Sequence, residues 1–361
     1  MSAKIPVAVL AATGSVGQRF VSLLDGHPFF EVTALTASDR SVGRPYGEAC
    51  RWLLAEPMPA WARGLTVLPT TPENLGVQIA FSALPADVAR EVEPCFAQAG
   101  IWVCSNASAF RREEDVPLLL PEVNPEHIEL LTFQQQRRGW SGGILTNPNC
   151  ASTGLTVALK ALQQSFGLKR VLVATLQAAS GAGYPGVPSM DLLDNLVPYI
   201  PGEEEKLEWE ARKMLGQFTP EGVRYDEVAL SAQVNRVPVV DGHTACVWLE
   251  TTQPASPEQA AAALRAYRAP ALAADLPFTP RPPLLVREEA DRPQPRLDRN
   301  SGGGMTTVVG RVRADALLGL RMVILSHNTI RGAAGGSIYN AELLVKTGRV
   351  KLPLSGAVSM L

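Results

Sequence analysis

A cysteine occupies the most chemically informative position of the chain, in the segment ILTNPNCASTGLTVALKAL. An apolar strand is predicted to end there in an Asn-Pro-Asn turn, and Cys150 follows at the head of a predicted helix. A helix N-terminus lowers the pKa of a thiol and places the sulfur where backbone N–H groups can stabilise an oxyanion. Cys150 is therefore a candidate nucleophile, and a buried cysteine that only begins its helix is the alternative.

A nucleophilic thiol needs a partner that can exchange protons with it. Of the four histidines, His243 follows a predicted strand in NRVPVVDGHTACV, and Arg236 precedes it by seven residues. A short Pro/Gly turn separates these two residues, so both side chains can point into one pocket. A structural role for a histidine at a hairpin is the alternative.

A glycine-containing turn, AATGSVGQ, lies between a β-branched apolar run and a helical pattern. Gly14 and Gly17 have the spacing that lets backbone N–H groups and the positive end of a helix approach a pyrophosphate. Ala11 takes the place of the usual first glycine, which is harmless if this position has ordinary strand dihedral angles. A tight strand-to-helix turn without a ligand is the alternative.

The next predicted strand ends in TASDRS. The hydroxyl of Ser38 and the guanidinium of Arg40 would suit the 2′-phosphate of NADP, whereas Asp39 between them leaves NAD open. A solvated polar loop is the alternative for each of these residues.

The pattern around these residues predicts the elements that position them. Strand-like and helix-like segments alternate over residues 1–147, which is typical of a Rossmann-type doubly wound parallel sheet. After Cys150, a long helix precedes strand-like RVLVATLQAAS, SAQVNRVPVV, HTACVWLETT and MTTVVGRVRA, which predict an α+β domain with a large mixed sheet. We therefore expect a dinucleotide-binding domain of residues 1–147 and 330–361, and a catalytic and dimerisation domain of residues 148–329.

Three further segments have distinct patterns. EEEKLEWEARKML reads as a helix after a Tyr/Pro/Gly-rich loop, and IRGAAGGSIYNAELLVKTG reads as one C-terminal helix. The Pro/Arg-rich stretch of residues 279–299 is expected to be irregular and exposed.

The composition restricts the class of protein. With 361 residues, 46% of them hydrophobic and 19% charged, the chain can form two cores. A net charge of −2 without a basic stripe favours small-molecule chemistry over nucleic-acid binding. No stretch reaches the roughly 18 to 20 apolar residues of a membrane span, and no secretory pattern is present, so a cytoplasmic location is expected. Five cysteines without framework spacing favour free thiols over disulfides or zinc.

Several segments together resemble the aspartate-semialdehyde dehydrogenase family, in particular its archaeal and fungal-like branch. The resemblance extends over nearly the whole chain, and the shared segments occur in the family's order. They are AATGSVGQRF, TASDRSVGRPY, SALPADVA, SNASAFRREEDVPLLLPEVN, TNPNCAST, LQAASGAGYPGV, PGEEEKLEWE, NRVPVVDGHTA and SHNTIRGAAGGSIYNAELL.

The resemblance implies a role for each of these sites. Cys150 would be the nucleophile, His243 the general acid/base and Arg236 the anchor for the α-carboxylate of the substrate. Glu203 would receive the substrate ammonium and Lys206 the transferable phosphate, whereas the neighbouring Glu204 and Glu205 are expected to be solvated. The remaining substrate-binding residues would be Gln177, Asn106 and Arg111. The cofactor-binding residues would be Thr13, Gly14, Ser15, Val16, Ser38, Arg40, Ser82, Gly181, Gly183, Asn328 and Gly332.

The reaction that the resemblance implies belongs to lysine, threonine and methionine biosynthesis and uses NADP. The Cys150 thiolate would attack L-aspartyl 4-phosphate and expel phosphate, which leaves a thioester. Hydride from NADPH would reduce this thioester to L-aspartate 4-semialdehyde, and His243 would supply the proton that the oxyanion needs. No metal is required, and a homodimer or homotetramer joined through the large sheet is expected.

Three alternatives to this function stay open. A malonyl-CoA reductase could use the same cysteine, but it would not need Glu203 and Lys206. An N-acetylglutamyl-phosphate reductase would have little use for the acid at Glu203, because its substrate amine is acetylated. A non-catalytic NADP-sensing protein is disfavoured by the intact Cys150, Gln177, Arg236 and His243.

Overall fold

The structure is a computed structural model that describes residues 3–219 and 222–352. The chain forms two compact units. The first consists of Met1–Pro117, Ile128–Asn147 and Ser337–Leu361, and the second of Leu118–His127 and Pro148–Gly336. Residues 1–2 and 353–361, which belong to the predicted dinucleotide-binding domain, lie outside the described residues.

The first unit contains a six-stranded parallel sheet with the strand order β3-β2-β1-β4-β5-β6. This is the strand order of dinucleotide-binding sheets. In such sheets the order in which strands are added reverses beside the first strand, and ligands bind there at the carboxyl ends of the strands. The predicted doubly wound sheet is therefore confirmed. Its strands are β1 (Ile5–Leu10), β2 (Phe30–Thr36), β3 (Val67–Leu68), β4 (Ile79–Ser82), β5 (Trp102–Ser105) and β6 (Gly143–Thr146).

The helices that begin in the chain before Cys150 cover this sheet or connect its strands. Apolar side chains of the sheet, such as Leu10 and Val103, pack with Phe96 of the longest of these helices in one buried cluster. The helices are α1 (Ser15–Leu23), α2 (Tyr46–Ala49), α3 (Ala60–Arg63), α4 (Ala86–Gln98) and α5 (Leu130–Arg138), with a 3₁₀ turn at Pro125–Glu129.

The second unit contains a six-stranded mixed sheet with the order β10-β7-β11-β14-β13-β12, and a separate β8-β9 hairpin. Two neighbouring pairs are parallel, β7 with β10 and β12 with β13, and the others are antiparallel. The predicted mixed sheet is thus confirmed. The strands are β7 (Leu168–Gln177), β8 (Gln217–Thr219), β9 (Gly222–Arg224), β10 (Ala229–Arg236), β11 (His243–Thr251), β12 (Leu284–Val286), β13 (Thr307–Asp315) and β14 (Gly319–Ser326).

A long buried helix packs on the mixed sheet. Leu155, Leu159 and Leu162 of this helix share a core with Val173 and Val247 of the sheet. The helices that begin at or after Cys150 are α6 (Cys150–Phe166), α7 (Ser189–Leu192), α8 (Glu203–Leu215), α9 (Pro257–Ala266), α10 (Pro295–Asp298) and α11 (Gly335–Lys346). None of the helices in the described ranges has the length and apolar character needed to span a bilayer.

Three expectations about elements were wrong in part. The stretch of residues 279–299 contains β12, which pairs with β13. It also contains Asp298, whose side chain is buried and forms ion pairs with Arg287 and Arg292. The C-terminal segment is not one uniform helix, because a π-helical turn at Ile330–Ala334 precedes α11. Strand β10 ends at Arg236, so the following VPVV lies outside the strand.

The turn between β1 and α1 has an unusual backbone. Ala11 has a φ of 56°, in the left-handed region, so the condition of ordinary strand dihedral angles is not met. An L-residue other than glycine loses about 1–2 kcal/mol there. The conformation is closed by a hydrogen bond of 3.1 Å from the Gly14 N–H to the Ala11 carbonyl.

The two glycines of this turn are under different constraints. A Cβ added to Gly17 would lie 2.3 Å from the Ala11 carbonyl oxygen and 2.7 Å from the Cα of Ala12. A Cβ added to Gly14, the N-cap of α1, would lie 3.5 Å from the same oxygen, which is ordinary contact. Only Gly17 is therefore required by close packing of α1 against the end of β1.

We expect Gly17→Ala to lower the free energy of unfolding by about 1–3 kcal/mol, the usual cost of overpacking. Gly14→Ala is the matched control and should change it by less than about 1 kcal/mol, since its φ of −77° suits alanine. Urea unfolding followed by circular dichroism measures both variants. Equal losses would show that close packing does not explain Gly17.

Candidate active site

Cys150 is the first residue of α6 and is partly exposed. The preceding residue, Asn149, caps the helix, because its side-chain oxygen accepts the N–H groups of Ala151 at 2.8 Å and Ser152 at 3.3 Å. Cys150 thus stands at the head of a helix, as predicted. The thiol lies at the positive end of a 17-residue helix, where a thiolate is stabilised.

His243, the first residue of β11, contacts the thiol directly. Its Nε2 lies 3.2 Å from Cys150 Sγ, and its Nδ1 accepts the backbone N–H of Ala178 at 3.0 Å. An Nδ1 that accepts a hydrogen bond carries no proton, so the neutral ring carries its proton on Nε2. The imidazole therefore donates to the sulfur, and the sulfur acts as the acceptor.

The surroundings keep this ring neutral. Burial, followed by the positive charge of Arg236 and by His327, lowers the pKa of the His243 imidazole to about 3. The unfolded chain takes up the proton near the usual value, so the folded state is favoured above about pH 6.5 and loses this advantage as the pH falls toward 3. The side chain thus serves as a neutral hydrogen-bond donor at pH 7.

Arg236 binds Ala178 as well, through the carbonyl of that residue. It is the last residue of β10, is 5% exposed, and donates from Nη1 to the Ala178 carbonyl at 2.7 Å. It pairs in parallel register with Gln177, the buried last residue of β7. Burial lowers the pKa of the guanidinium, and Cys150 and Glu203 oppose this effect.

Gly181 makes room for this pair of side chains. A Cβ at this position would lie 2.8 Å from Arg236 Nη1 and 3.0 Å from His243 Cε1. Gly183, two residues later, has a φ of 73°, and a Cβ added there would have no neighbour within 4 Å. The loop after β7 therefore approaches the site with its backbone.

Glu203 and Lys206 lie on the first turn of α8. Glu203 is 5% exposed, accepts Asn149 Nδ2 at 2.8 Å through Oε1, and lies 3.5 Å from Lys206 Nζ through Oε2. Glu205 is exposed, as expected. The expectation that Glu204 is solvated was wrong, because its Oε1 accepts the N–H of Val234 on β10 at 3.1 Å.

Two further predicted residues come from the segment after β14. A Cβ at Gly332 would lie 2.8 Å from the Cβ of Cys150, so this glycine packs closely against Cys150. Asn328 is buried and joins two loops, since Oδ1 accepts the Gly242 N–H at 2.9 Å and Nδ2 donates to Ser180 Oγ at 2.7 Å. Its amide thus orients the residue before His243.

The other predicted residues belong to the first unit. Asn106 follows β5, and its Oδ1 accepts from Asn147 Nδ2 and Ser337 Oγ, each at 3.2 Å. Arg111 is buried and donates to the Asn106 carbonyl at 2.7 Å. The remaining residues lie at the ends of elements: Thr13, Gly14, Ser15 and Val16 at the start of α1, Ser82 at the end of β4, and exposed Ser38 and Arg40 after β2.

Three residues of the second unit were not predicted. Asn149 could have been recognised from the preference of asparagine for N-caps. Ala178 acts only through its backbone, which no side-chain pattern indicates. Glu210 accepts the backbone N–H of Asn149 at 2.7 Å from 61 residues away, and a charged residue on a helix gives no signal of such a partner.

A thiol on a helix N-terminus, a neutral histidine donor and a buried guanidinium, in a chain with a dinucleotide-binding sheet, are features of a dehydrogenase. Two family models match the chain. The semialdehyde dehydrogenase NAD binding domain matches residues 6–131, and the semialdehyde dehydrogenase dimerisation domain matches residues 159–331. The chain belongs to the aspartate-semialdehyde dehydrogenase family.

Individual relatives agree with this membership. The chain is 51% identical to the aspartate-semialdehyde dehydrogenase of Archaeoglobus fulgidus, over 94% of this chain and 98% of the relative. It is 46% identical to that of Candida albicans, over 93% and 96% of the two chains. The crystal structure of aspartate semialdehyde dehydrogenase with NADP from Candida albicans superposes with a TM-score of 0.89 at 44% identity, covering 96% of this chain and all 100% of the other.

We expect the His243 ring to stay neutral, with its proton on Nε2, from about pH 5 to 8, because Ala178 occupies Nδ1 and burial opposes protonation. Spectra of ¹⁵N-histidine-labelled protein measure this, and a His243→Asn variant identifies the signal by its loss. A ring that titrates near its ordinary pKa, or that carries its proton on Nδ1, would contradict the assignment.

Proposed function

We propose that the protein catalyses the reversible, NADP-dependent reductive dephosphorylation of L-aspartyl 4-phosphate to L-aspartate 4-semialdehyde. The observation that carries this proposal is the buried Glu203 carboxylate beside Lys206 on helix α8. The same carboxylate binds Asn149, the residue before Cys150. An amino-acid acyl phosphate requires an acceptor for its ammonium, a cation for its phosphate and a guanidinium for its α-carboxylate. Glu203, Lys206 and Arg236 meet these three requirements.

The first unit has features that suit the cofactor. Gly14 is the N-cap of α1, and a Cβ added to it would contact only the Ala11 carbonyl oxygen, at 3.5 Å, so the backbone of the α1 N-terminus can be approached by a pyrophosphate group. Thr13, Gly14, Ser15 and Val16 would hold that group, and exposed Ser38 and Arg40 would hold the 2′-phosphate of NADP. We assign Ser82, Gly181, Gly183, Asn328 and Gly332 to the rest of the cofactor site. The bound cofactor supplies hydride to the acyl carbon.

In the proposed mechanism, Cys150 Sγ bonds to the acyl carbon as the bond from that carbon to the phosphate oxygen breaks. The products of this step are free phosphate and a thioester on Cys150. After reduction of the thioester, the C–S bond breaks. The aldehyde is released, and the sulfur remains on Cys150 as a thiolate. His243, as an Nε2–H donor, stabilises the oxyanion and the leaving thiolate, and Gln177 orients the acyl group. Asn106 and Arg111 complete the phosphate site.

We also propose roles for the two domains and an oligomeric state. We assign cofactor binding to residues 1–147 with 330–361, and catalysis with dimerisation to residues 148–329. We propose a homodimer or homotetramer, which is in keeping with the match to a dimerisation domain, and a cytoplasmic location. Measured turnover of the semialdehyde would support the reaction whichever of these assignments holds.

A spectrophotometric assay tests the substrate. L-aspartate 4-semialdehyde with phosphate should reduce NADP, faster than NAD, and Cys150→Ala should abolish turnover while NADP binding stays measurable by titration. If the protein instead consumes NADPH with malonyl-CoA and shows no activity with the semialdehyde, it is an acyl-CoA reductase and the proposal is wrong. Full turnover by Cys150→Ala would refute the nucleophile.

The ammonium site is tested by Glu203→Gln. Its amide oxygen can still accept Asn149 Nδ2, so the nucleophile turn is retained, but the charge that binds the ammonium is lost. We expect the KM for the semialdehyde to rise about 10-fold to 100-fold, as for loss of one charged hydrogen bond. Glu205→Ala, an exposed residue of the same helix, should leave KM unchanged. An unchanged KM in Glu203→Gln would remove Glu203 from the substrate site.

A further inference from the structure

Helix α8 has two buried carboxylates on one face. Glu203 and Glu210 are seven residues apart, close to two full turns, so their side chains point in nearly the same direction. Both bind Asn149, Glu203 through the side-chain amide at 2.8 Å and Glu210 through the backbone N–H at 2.7 Å. The residue before Cys150 is thus held at two points by one helix.

A second pair of carboxylates on α8 binds strand β10. Glu204 and Glu208 accept the N–H groups of Val234 and Ala232, each at 3.1 Å. Within the described part of the chain, β10 is the edge strand of its sheet, and these carboxylates accept amides that no strand of this part pairs. Because β10 ends at Arg236, helix α8 holds both Asn149, which precedes Cys150, and the strand that carries Arg236.

We propose that Glu210 is a positioning residue for Cys150. Its side chain is fully buried, and its Oε2 accepts the N–H of the residue that directly precedes the thiol. A buried carboxylate is retained only where donors compensate its lost hydration, and its bond to an amide is a strong one. This inference rests on the proposed function only for the role of Cys150 as nucleophile.

The Glu210 bond acts where the other bonds of Asn149 cannot. The Asn149 side chain binds Glu203 and the first amides of α6, and its carbonyl binds Thr153. The N–H of the preceding Pro148–Asn149 peptide is held by Glu210. Asn149 is 8% exposed, so without Glu210 its N–H has little access to water as a substitute acceptor. Rotation of this peptide would move Cys150 Sγ from its position 3.2 Å from His243 Nε2.

Three variants separate the position of the acceptor from its charge. Glu210→Gln keeps an oxygen at the same reach without the charge, Glu210→Asp keeps the charge but withdraws it by one methylene, and Glu210→Ala removes both. If the carboxylate acts by position, Glu210→Gln should keep kcat within about threefold, whereas Glu210→Ala should lose about tenfold to 100-fold, the usual cost of a misplaced reacting group. Glu210→Asp should fall between them. KM for the semialdehyde should change less than about threefold in all three, since Glu203 and Arg236 are retained.

The second readout is the rate at which iodoacetamide alkylates Cys150, measured across pH. It should differ from wild type in Glu210→Ala and Glu210→Asp, and match wild type in Glu210→Gln and in the exposed control Glu205→Ala. This measurement needs no substrate, so it remains valid if the proposed substrate is wrong. Circular dichroism establishes that each variant is folded.

Two results would overturn the inference. One is a folded Glu210→Ala with wild-type kcat and wild-type alkylation. The other is a loss in Glu210→Gln at least as large as that in Glu210→Asp, because an acceptor oxygen kept at the same reach would then fail to preserve the position of the thiol. If Glu210→Ala does not fold, the comparison of Glu210→Gln with Glu210→Asp decides alone.

Discussion

Hydrogen bonds to Asn149 hold the first turn of α6, and the position of the thiol depends on them. The side-chain oxygen binds two amides of the helix, the side-chain nitrogen binds Glu203, and the backbone N–H binds Glu210. The carbonyl accepts the N–H and the hydroxyl of Thr153, each at 3.0 Å. Its polar groups are thus committed, which leaves the turn few alternative conformations.

A second pair of buried charges belongs to the segment that packs against Cys150. Arg331 and Glu122, both almost fully buried, form two hydrogen bonds of 2.9 and 2.5 Å. Arg331 lies in the π-helical turn whose Gly332 packs against Cys150. Removing one partner of such a pair costs more than the pair contributes, because a buried charge is left without a partner. Charged groups therefore hold the thiol from α8 and from the turn before α11.

The sequence predicted the local features of the site and missed the long-range ones. The N-terminal position of Cys150 on its helix, helix α8 and the two types of sheet follow from turn residues and hydrophobic periodicity, which act over a few residues. The bond from Glu210 to Asn149 links positions 61 residues apart, and surface and buried glutamates look alike in a single sequence. Ala11 shows the same limit, since its left-handed φ is a property of the folded turn that an alanine in the sequence does not indicate.

The same constraint decides how His243 can act. With Nδ1 bound to the Ala178 N–H, the ring can lose its Nε2 proton only by becoming an anion, and with a pKa of about 3 it gains a second proton only in strong acid. The resting ring is consequently no base for the thiol, and the helix N-terminus must favour the thiolate instead. A base role would require Ala178 to release Nδ1. Arg236 holds the carbonyl of the same residue at 2.7 Å, which opposes such a release.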